Sequence, residues 1–220
     1  MHLPSATAAL YSSAMPCDSC FGEGSPVARA LVDLPQPRWV GPAYAESKTR
    51  IAVLALNPGA GSSGQEDGNL KLAALLHSFR NRAATFSDVL DYQAQHMPTW
   101  GKTPGRYINF YTGVTGHDLN ELAFLNVALC ATRGNRYPPA VLETCFRKHT
   151  SGLLQSLVPS IVLLSGSAVH KYARRIEALL PTARVEPILH YAHREGRDRE
   201  QQEFKRVRSL IEQVSAASGA

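Results

Sequence analysis

Four short runs of apolar residues recur along the chain. They are continuous rather than alternating, which is typical of β-strands buried on both faces of a parallel sheet. The runs cover residues 50–56, 122–129, 160–165 and 184–190. We predict that each run forms a strand inside the protein.

The segments between these runs have the periodicity of amphipathic helices. The predicted helices cover residues 70–80, 138–157, 167–180 and 197–215. Alternating strands and helices predict right-handed crossovers and a parallel sheet covered by helices. We therefore expect the α/β class: a single domain over residues 1–220, with a central four-stranded, mostly parallel sheet flanked by helices.

Two segments do not follow this alternation. Residues 1–16 lack the basic start and apolar centre of a signal peptide, so we expect a flexible N-terminal arm. Residues 91–116 combine Pro, Gly and five aromatic residues, which favours a functional or packed loop region.

Loops at the carboxyl ends of parallel strands form the ligand site of such sheets. For the predicted strands, these loops cover residues 57–69, 130–137, 165–167 and 190–199. Candidate chemistry is therefore sought in these four segments.

Composition and charge narrow the function classes. Hydrophobic residues make up 44% of the 220 positions, which is enough to form a core. No apolar run approaches the roughly 18 residues of a membrane span, so we expect a cytoplasmic protein without a membrane partner. The net charge of +5 permits nucleic-acid binding without requiring it. Basic residues that gather near the C-terminus form either a solvated helix face or a phosphate-binding track.

The four cysteines are the strongest candidates for metal ligands. Cys17 and Cys20 form a Cys-x-x-Cys pair, whereas Cys130 and Cys145 are dispersed. A zinc ribbon normally has a second close pair, so the spacing better fits an iron–sulfur cluster. Two unrelated buried thiols beside an incidental pair are the alternative, and the spacing alone leaves it open.

The first carboxyl-end loop has the sequence LNPGAGSSG at residues 56–64. It matches neither the P-loop nor the dinucleotide-binding pattern. It resembles motif A of the uracil-DNA glycosylase superfamily, which occurs as Gly-(Met/Ile)-Asn-Pro-Gly in some branches.

A second stretch carries a more specific resemblance. The sequence LNVALCATRGNRYP at residues 125–138, followed by Cys145, resembles the Asn-Val-x-x-Cys…Gly-Asn-Arg-x-Pro…Cys pattern of the iron–sulfur-containing bacterial and archaeal glycosylases. Those proteins also have an N-terminal Cys-x-x-Cys, and residues 158–168 resemble their strand and turn before the last strand. The resemblance runs in order from Cys17 to Arg194.

The chain departs from the family pattern at two places. Motif B is usually His-Pro-Ser or His-Pro-Ala, but here Tyr191 follows His190, and His193 is a rival for the motif histidine. At motif A the iron–sulfur branch usually carries Gly-Glu-Ala-Pro-Gly, whereas this chain has Asn57 two places before Gly59. No aromatic residue in that loop can stack on uracil; the candidates elsewhere are Phe110, Tyr111, Tyr107 and Tyr44.

The resemblance implies a monofunctional DNA-repair enzyme that hydrolyses the glycosidic bond of uracil and leaves an abasic site. It implies catalytic roles for Asn57, which would hold the attacking water, and for His190, which would donate to uracil O2. The implied substrate-binding residues are Leu56, Pro58, Gly59, Asn126 and His193. The implied DNA contacts are Arg133, Arg136, Ser167, Arg194 and Arg197. The implied cofactor is a structural 4Fe-4S cluster on Cys17, Cys20, Cys130 and Cys145.

Two other function classes remain open from the sequence. The departure of motif B from His-Pro-Ser favours a non-catalytic DNA- or RNA-binding protein on the same fold. Four cysteines would also suit a nucleic-acid module built on zinc. If the protein is the glycosylase that the resemblance implies, we expect a monomer whose partner is uracil-containing DNA.

Overall fold

The computed structural model describes residues 5–58, 66–100 and 103–217, and a parallel sheet lies at its centre. The strands are β1 Ile51–Ala55, β2 Leu122–Asn126, β3 Ile161–Ser165 and β4 Arg184–Ile188. Their order is β2-β1-β3-β4, and all three pairings are parallel. The α/β class and the four predicted strands are confirmed.

Helices cover both faces of this sheet, as crossover connections between parallel strands require. Before β2 these are α1 Ser5–Ala14, α2 Glu66–Arg80, α3 Phe86–His96 and α4 Arg106–Thr115. After β2 they are α5 Pro139–Cys145, α6 Ser151–Leu157, α7 Ser167–His170, α8 Ala173–Leu179 and α9 Arg197–Ala217. None of the described helices is both long and apolar enough to cross a membrane.

Two of the predicted helices are interrupted. A π-helical turn, Phe146–Thr150, joins α5 to α6, so the helix predicted over residues 138–157 is continuous but locally widened. The helix predicted over residues 167–180 is divided between α7 and α8.

The segment 91–116 is largely helical, so the loop predicted there is wrong. It contains the end of α3 and all of α4. Glycines in the left-handed region flank α4, with φ of 74° at Gly105 and 73° at Gly116. A glycine before the helix provides no side-chain N-cap, and the aromatic residues that alternate with polar ones obscure the helical stripe. That stripe is nevertheless buried; its members are Tyr107, Phe110, Tyr111 and Val114.

The segment predicted as a flexible arm, residues 1–16, contains a helix where the structure describes it. Residues 5–14 form α1, and both Tyr11 and Ala14 are fully buried. The Thr7 and Ser156 hydroxyls lie 2.9 Å apart and join α1 to α6. Small Ala and Ser residues hid this helix in the sequence because they make a weak amphipathic pattern.

Candidate nucleobase site and cysteine cavity

The carboxyl ends of the strands bring the predicted site residues to one edge of the sheet. Asn126 ends β2 and is in register with Ala55 of β1. Asn57 follows β1 by two residues, and His190 follows β4 by two residues. This edge is where an open parallel sheet binds its ligands.

Asn126 has a buried amide with an unused donor. The residue is 1% exposed, and its Nδ2 has no hydrogen-bond partner within the described part of the chain. Its backbone carbonyl accepts a 2.9 Å hydrogen bond from the Thr150 hydroxyl. Since buried polar atoms are rarely unpaired, a free buried N–H marks a place where a ligand can bind.

Three tyrosines line the face of the sheet to which Asn126 points. Phe124, two residues earlier in β2 and therefore on the same face, packs against Tyr107 and Tyr111 at 5.6 and 5.3 Å between ring centroids. Tyr191 packs edge-on against Tyr107 at 5.1 Å. The Tyr111 hydroxyl lies 2.7 Å from the Ser165 hydroxyl at the end of β3.

This arrangement narrows the choice of a stacking aromatic. Tyr107 and Tyr111 belong to the cluster, and Tyr191, which the sequence did not nominate, joins them. Phe110 packs against the neighbouring Tyr111 and also against Phe204 of α9. The Tyr44 hydroxyl donates to the Leu157 carbonyl at the end of α6.

Asn57 is oriented by the loop that follows β2. Its Nδ2 donates to Asn135 Oδ1 at 2.7 Å, which leaves Oδ1 of Asn57 as an acceptor. Asn135 adopts a left-handed φ of 54°, next to Gly134 at 68°. Leu56 and Pro58 are both half-buried at this loop, and Gly59 lies outside the described residues.

His190 is held in one tautomer at its half-buried position. The backbone N–H of Ala192 donates to His190 Nδ1 at 3.2 Å, so a neutral ring carries its proton on Nε2. Burial, and to a lesser extent His193, lowers the pKa of His190 below 6.5. The ring is therefore neutral at pH 7 and has an N–H to donate.

Gly166 permits the close approach of His190. Its φ of 91° is one that side-chain-bearing residues avoid, and a Cβ there would lie 3.2 Å from His190 Cβ. The turn that the sequence placed after β3 therefore packs directly against the histidine.

His193 uses both ring nitrogens within the protein. Its Nε2 lies 2.7 Å from Glu200 Oε2, and its Nδ1 accepts from the Glu195 N–H at 3.2 Å. The side chain is only 7% exposed. It therefore does not have the free donor expected of a substrate-binding histidine, and of the two candidates only His190 does.

The predicted DNA contacts lie on the surface. Arg133, Arg136, Arg194 and Arg197 are exposed, and none forms an ion pair with a carboxylate among the described residues. Ser167 is exposed at the first residue of α7.

Other basic residues near the C-terminus are already engaged. Arg199 pairs with Glu195 at 3.3 Å, Arg206 pairs with Glu203 at 2.9 Å, and Arg208 Nε donates to the Gly113 carbonyl at 2.8 Å. These three guanidinium groups therefore already have partners within the protein.

The four cysteines share one cavity. Its lining also includes Lys148 and His149. The cysteines that line it are Cys17, Cys20, Cys130 and Cys145. Within the described ranges, no group of three or more His, Cys, Asp or Glu side chains has the geometry to hold a metal ion, so the thiols surround the cavity without meeting at one point.

The chemistry of the cavity fits a group that binds thiolates. Burial and neighbouring thiols raise the pKa of Cys130, and burial raises that of Cys145 to about 12, so these thiolates need a cation to be stable. The Leu129 N–H donates to Cys145 Sγ at 3.2 Å. His149 Nε2 is buried without a partner in the described structure. An iron–sulfur cluster would use the thiolates as ligands and its sulfides as acceptors for such N–H groups.

Several residues of the site were missed by sequence reasoning. Arg106, whose Nε donates to the Tyr191 carbonyl at 3.0 Å, lies in the segment that the pattern left unassigned. Glu200 carried no signal because an acidic residue in the first turns of a helix is ordinary. Asn135 was inside the Gly-Asn-Arg stretch and could have been nominated from it.

Comparison with known proteins adds no identification. No protein-family model matches the chain, and a search of curated proteins gives no match.

Proposed function

We propose that this protein is a uracil-DNA glycosylase that carries a structural 4Fe-4S cluster. The observation that carries the proposal is the buried Nδ2 of Asn126, which has no partner among the described residues and lies at the same sheet edge as Asn57 and His190. The motif resemblance at residues 55–59 and 125–145 supports the same reading.

Asn126 would select the base. A side-chain amide can donate to uracil O4 through Nδ2 and accept from N3–H through Oδ1, whereas cytosine presents the inverted pattern. A fixed amide therefore rejects cytosine, because the wrong base leaves buried polar groups unpaired. The base must first leave the stack, and a tyrosine of the cluster supplies a ring against which it can lie.

His190 and Asn57 would act on the bond. Cleavage of the C1′–N1 bond leaves negative charge on uracil, and a fixed donor aimed at that charge stabilises the transition state. The Nε2–H of His190 is such a donor, directed to O2. Asn57 Oδ1 would accept a hydrogen bond from the water that adds to C1′; as an amide it is a weak base, so bond cleavage would run ahead of water attack.

The exposed arginines would bind the DNA backbone. Arg133 and Arg136 follow β2, whereas Arg194 and Arg197 follow β4. Contacts from both loops to phosphates would compensate for the cost of unpairing the base, which is a few kcal/mol.

The cysteine cavity would hold the cluster. When bound, the cluster supplies cross-linking rather than chemistry, because glycosidic hydrolysis transfers no electrons. It would join the segment of Cys17 and Cys20 to the loop and helix that carry Cys130 and Cys145.

An excision assay separates the enzyme from a non-catalytic nucleic-acid-binding protein. A labelled oligonucleotide with one uracil is incubated with the protein and then treated with alkali, which cleaves at abasic sites. We expect cleavage by the wild type and by Asn120→Ala, a control just before the opposite end of β2, and about 100-fold slower cleavage by Asn126→Ala. Binding without cleavage, on single- and double-stranded substrates, would support the non-catalytic alternative instead.

The cluster has its own test. Purified protein should be brown, with broad visible absorbance and about four irons per chain. Cys17→Ser should lose iron together with solubility. A colourless protein that contains zinc would overturn the assignment and favour a zinc module.

A further inference from the structure

The segment that carries His190 has no regular secondary structure. Residues 189–196 connect β4 to α9. The segment contains no proline, so every φ angle in it is free to vary, and a catalytic donor there needs another source of rigidity. Hydrogen bonds from neighbouring residues provide that rigidity.

Arg106 of α4 binds the backbone of this segment. Its Nε donates to the Tyr191 carbonyl at 3.0 Å, one residue after His190. Its Nη1 donates to Glu200 Oε1 at 2.9 Å, and its Nη2 binds Oε2 of the same carboxylate. One guanidinium therefore connects α4, the 189–196 segment and α9.

Glu200 completes the connection from the other side. In the tautomer in which His193 Nδ1 accepts from the Glu195 N–H, His193 Nε2 carries the proton and donates to Glu200 Oε2. The same oxygen binds Arg106, which explains why Nη2 of Arg106 and Nε2 of His193 lie only 3.3 Å apart. The hydrogen bond from Arg106, more than any other interaction, lowers the pKa of Glu200, which keeps it a carboxylate.

Short-range bonds transmit this restraint to the His190 ring. The His193 N–H donates to the His190 carbonyl at 2.8 Å, and the Ala192 N–H holds Nδ1 of the ring. The Tyr191 ring packs against Tyr107, one residue after Arg106 on α4. The turn is thus held at three points: the Tyr191 carbonyl, the Tyr191 ring and the His190 ring.

We propose that Arg106 and Glu200 form a clamp that positions His190 for its contact with the base. This inference rests on the proposed function in that His190 acts on uracil. In this proposal neither Arg106 nor Glu200 contacts the base. Each is a positioning residue that acts on His190 through the backbone of the 189–196 segment. A bidentate arginine–carboxylate pair suits this role because its planar geometry fixes orientation as well as distance.

Substitutions of the clamp test the proposal. Arg106→Gln removes the fork and the charge, Arg106→Lys keeps the charge without the fork, and Glu200→Gln keeps the size and the acceptor for His193. Arg208→Gln is the matched control, because Arg208 also connects α9 to α4, through the Gly113 carbonyl, but not through the His190 segment.

The expected result is a loss of rate without a loss of binding. Single-turnover excision should fall about 10- to 100-fold in Arg106→Gln and Glu200→Gln, with an unchanged Kd for DNA. Arg106→Lys should restore part of the rate, and Arg208→Gln should keep the wild-type rate. A folded Glu200→Gln variant with wild-type rate, or an equal loss in Arg208→Gln, would overturn the clamp.

A second readout is independent of activity. Amide hydrogen exchange at Ala192 and His193 should accelerate in the clamp variants and not in Arg208→Gln, and the nitrogen resonances of His190 should show a mixture of tautomers. Unchanged exchange and an unchanged tautomer would refute the clamp even in an inactive protein. If the wild type releases no uracil, the proposed function fails, and these measurements still decide whether the clamp exists.

Discussion

Individual side chains in this site differ by which of their polar atoms the fold has already used. Nδ2 of Asn57 donates to Asn135, whereas Nδ2 of Asn126 has no partner within the described part of the chain. His190 accepts at Nδ1 and keeps Nε2–H, whereas His193 has used both nitrogens. The free atoms are the ones that a ligand can bind, and residue identity alone does not show which atoms these are.

The first prediction at this scale concerns base selectivity. Asn126→Asp replaces the donor to uracil O4 with an acceptor, which suits the exocyclic amine of cytosine. Uracil excision should fall about 100-fold, and slow release of cytosine should appear. Paired oligonucleotides that contain uracil or cytosine measure both rates. Unchanged uracil excision would show that Asn126 does not read the base.

The second prediction concerns acid stability. Folding lowers the pKa of His190, so below 6.5 the unfolded chain binds a proton that the folded chain does not. The neutral His190 ring therefore contributes fully to the stability of the fold above pH 6.5. This contribution is lost as the pH falls from 6.5 towards the lowered pKa of the folded protein. Urea denaturation at about pH 7.5 and about pH 5.5 should show a smaller acid loss in His190→Asn than in the wild type. An equal loss in both proteins would refute the assignment.

Among the elements, those with a simple apolar pattern were predictable. The strand runs and the long C-terminal stripe gave β1 to β4 and α9 within a few residues. The helices α1 and α4 were not predictable, because the first is rich in Ala and Ser and the second starts after a glycine. Both are fixed by tertiary packing, which a single sequence does not display.

The residues of the candidate site also divide into those that the sequence indicated and those that it did not. The resemblance nominated Asn57, Asn126 and His190, and each lies at the carboxyl end of a predicted strand or just after it. It could not identify Arg106 or Glu200, since their role depends on how α4 and α9 meet across the 189–196 segment.

An element-scale prediction concerns the loop after β2. The Tyr137 hydroxyl donates to the Cys130 carbonyl at 3.1 Å and accepts from the Thr132 N–H at 3.2 Å. Tyr137→Phe leaves both backbone groups unpaired, so the free energy of unfolding should fall by about 1–3 kcal/mol. Urea denaturation measures this change. Tyr172→Phe is the control, because that ring packs against Phe146 and its hydroxyl has no hydrogen-bond partner in the described structure.

At the scale of the whole molecule, one loop connects the cysteine cavity to the candidate nucleobase site. Cys130 lines the cavity, and Asn135, five residues later, orients Asn57. A cluster bound in the cavity would therefore stabilise the loop on which the orientation of Asn57 depends.

Salt dependence tests the DNA-binding surface at this scale. If Arg133, Arg136, Arg194 and Arg197 contact phosphates, each substitution by Gln should reduce the slope of log K against log salt concentration by about 0.9. Arg175→Gln, which removes a partner of Glu143 on α5, should leave the slope unchanged. Fluorescence anisotropy across a salt series gives the slope. Equal slopes in all variants would place the DNA elsewhere.

The most direct test of the central claim is to measure free base released from DNA. Mass spectrometry of the small-molecule fraction, after incubation of the purified protein with uracil-containing DNA, should detect one uracil per abasic site formed, and none from the matched thymine-containing DNA. Release should be about 100-fold slower with Asn126→Ala and normal with Asn120→Ala. DNA that is bound but keeps every uracil attached would contradict the account.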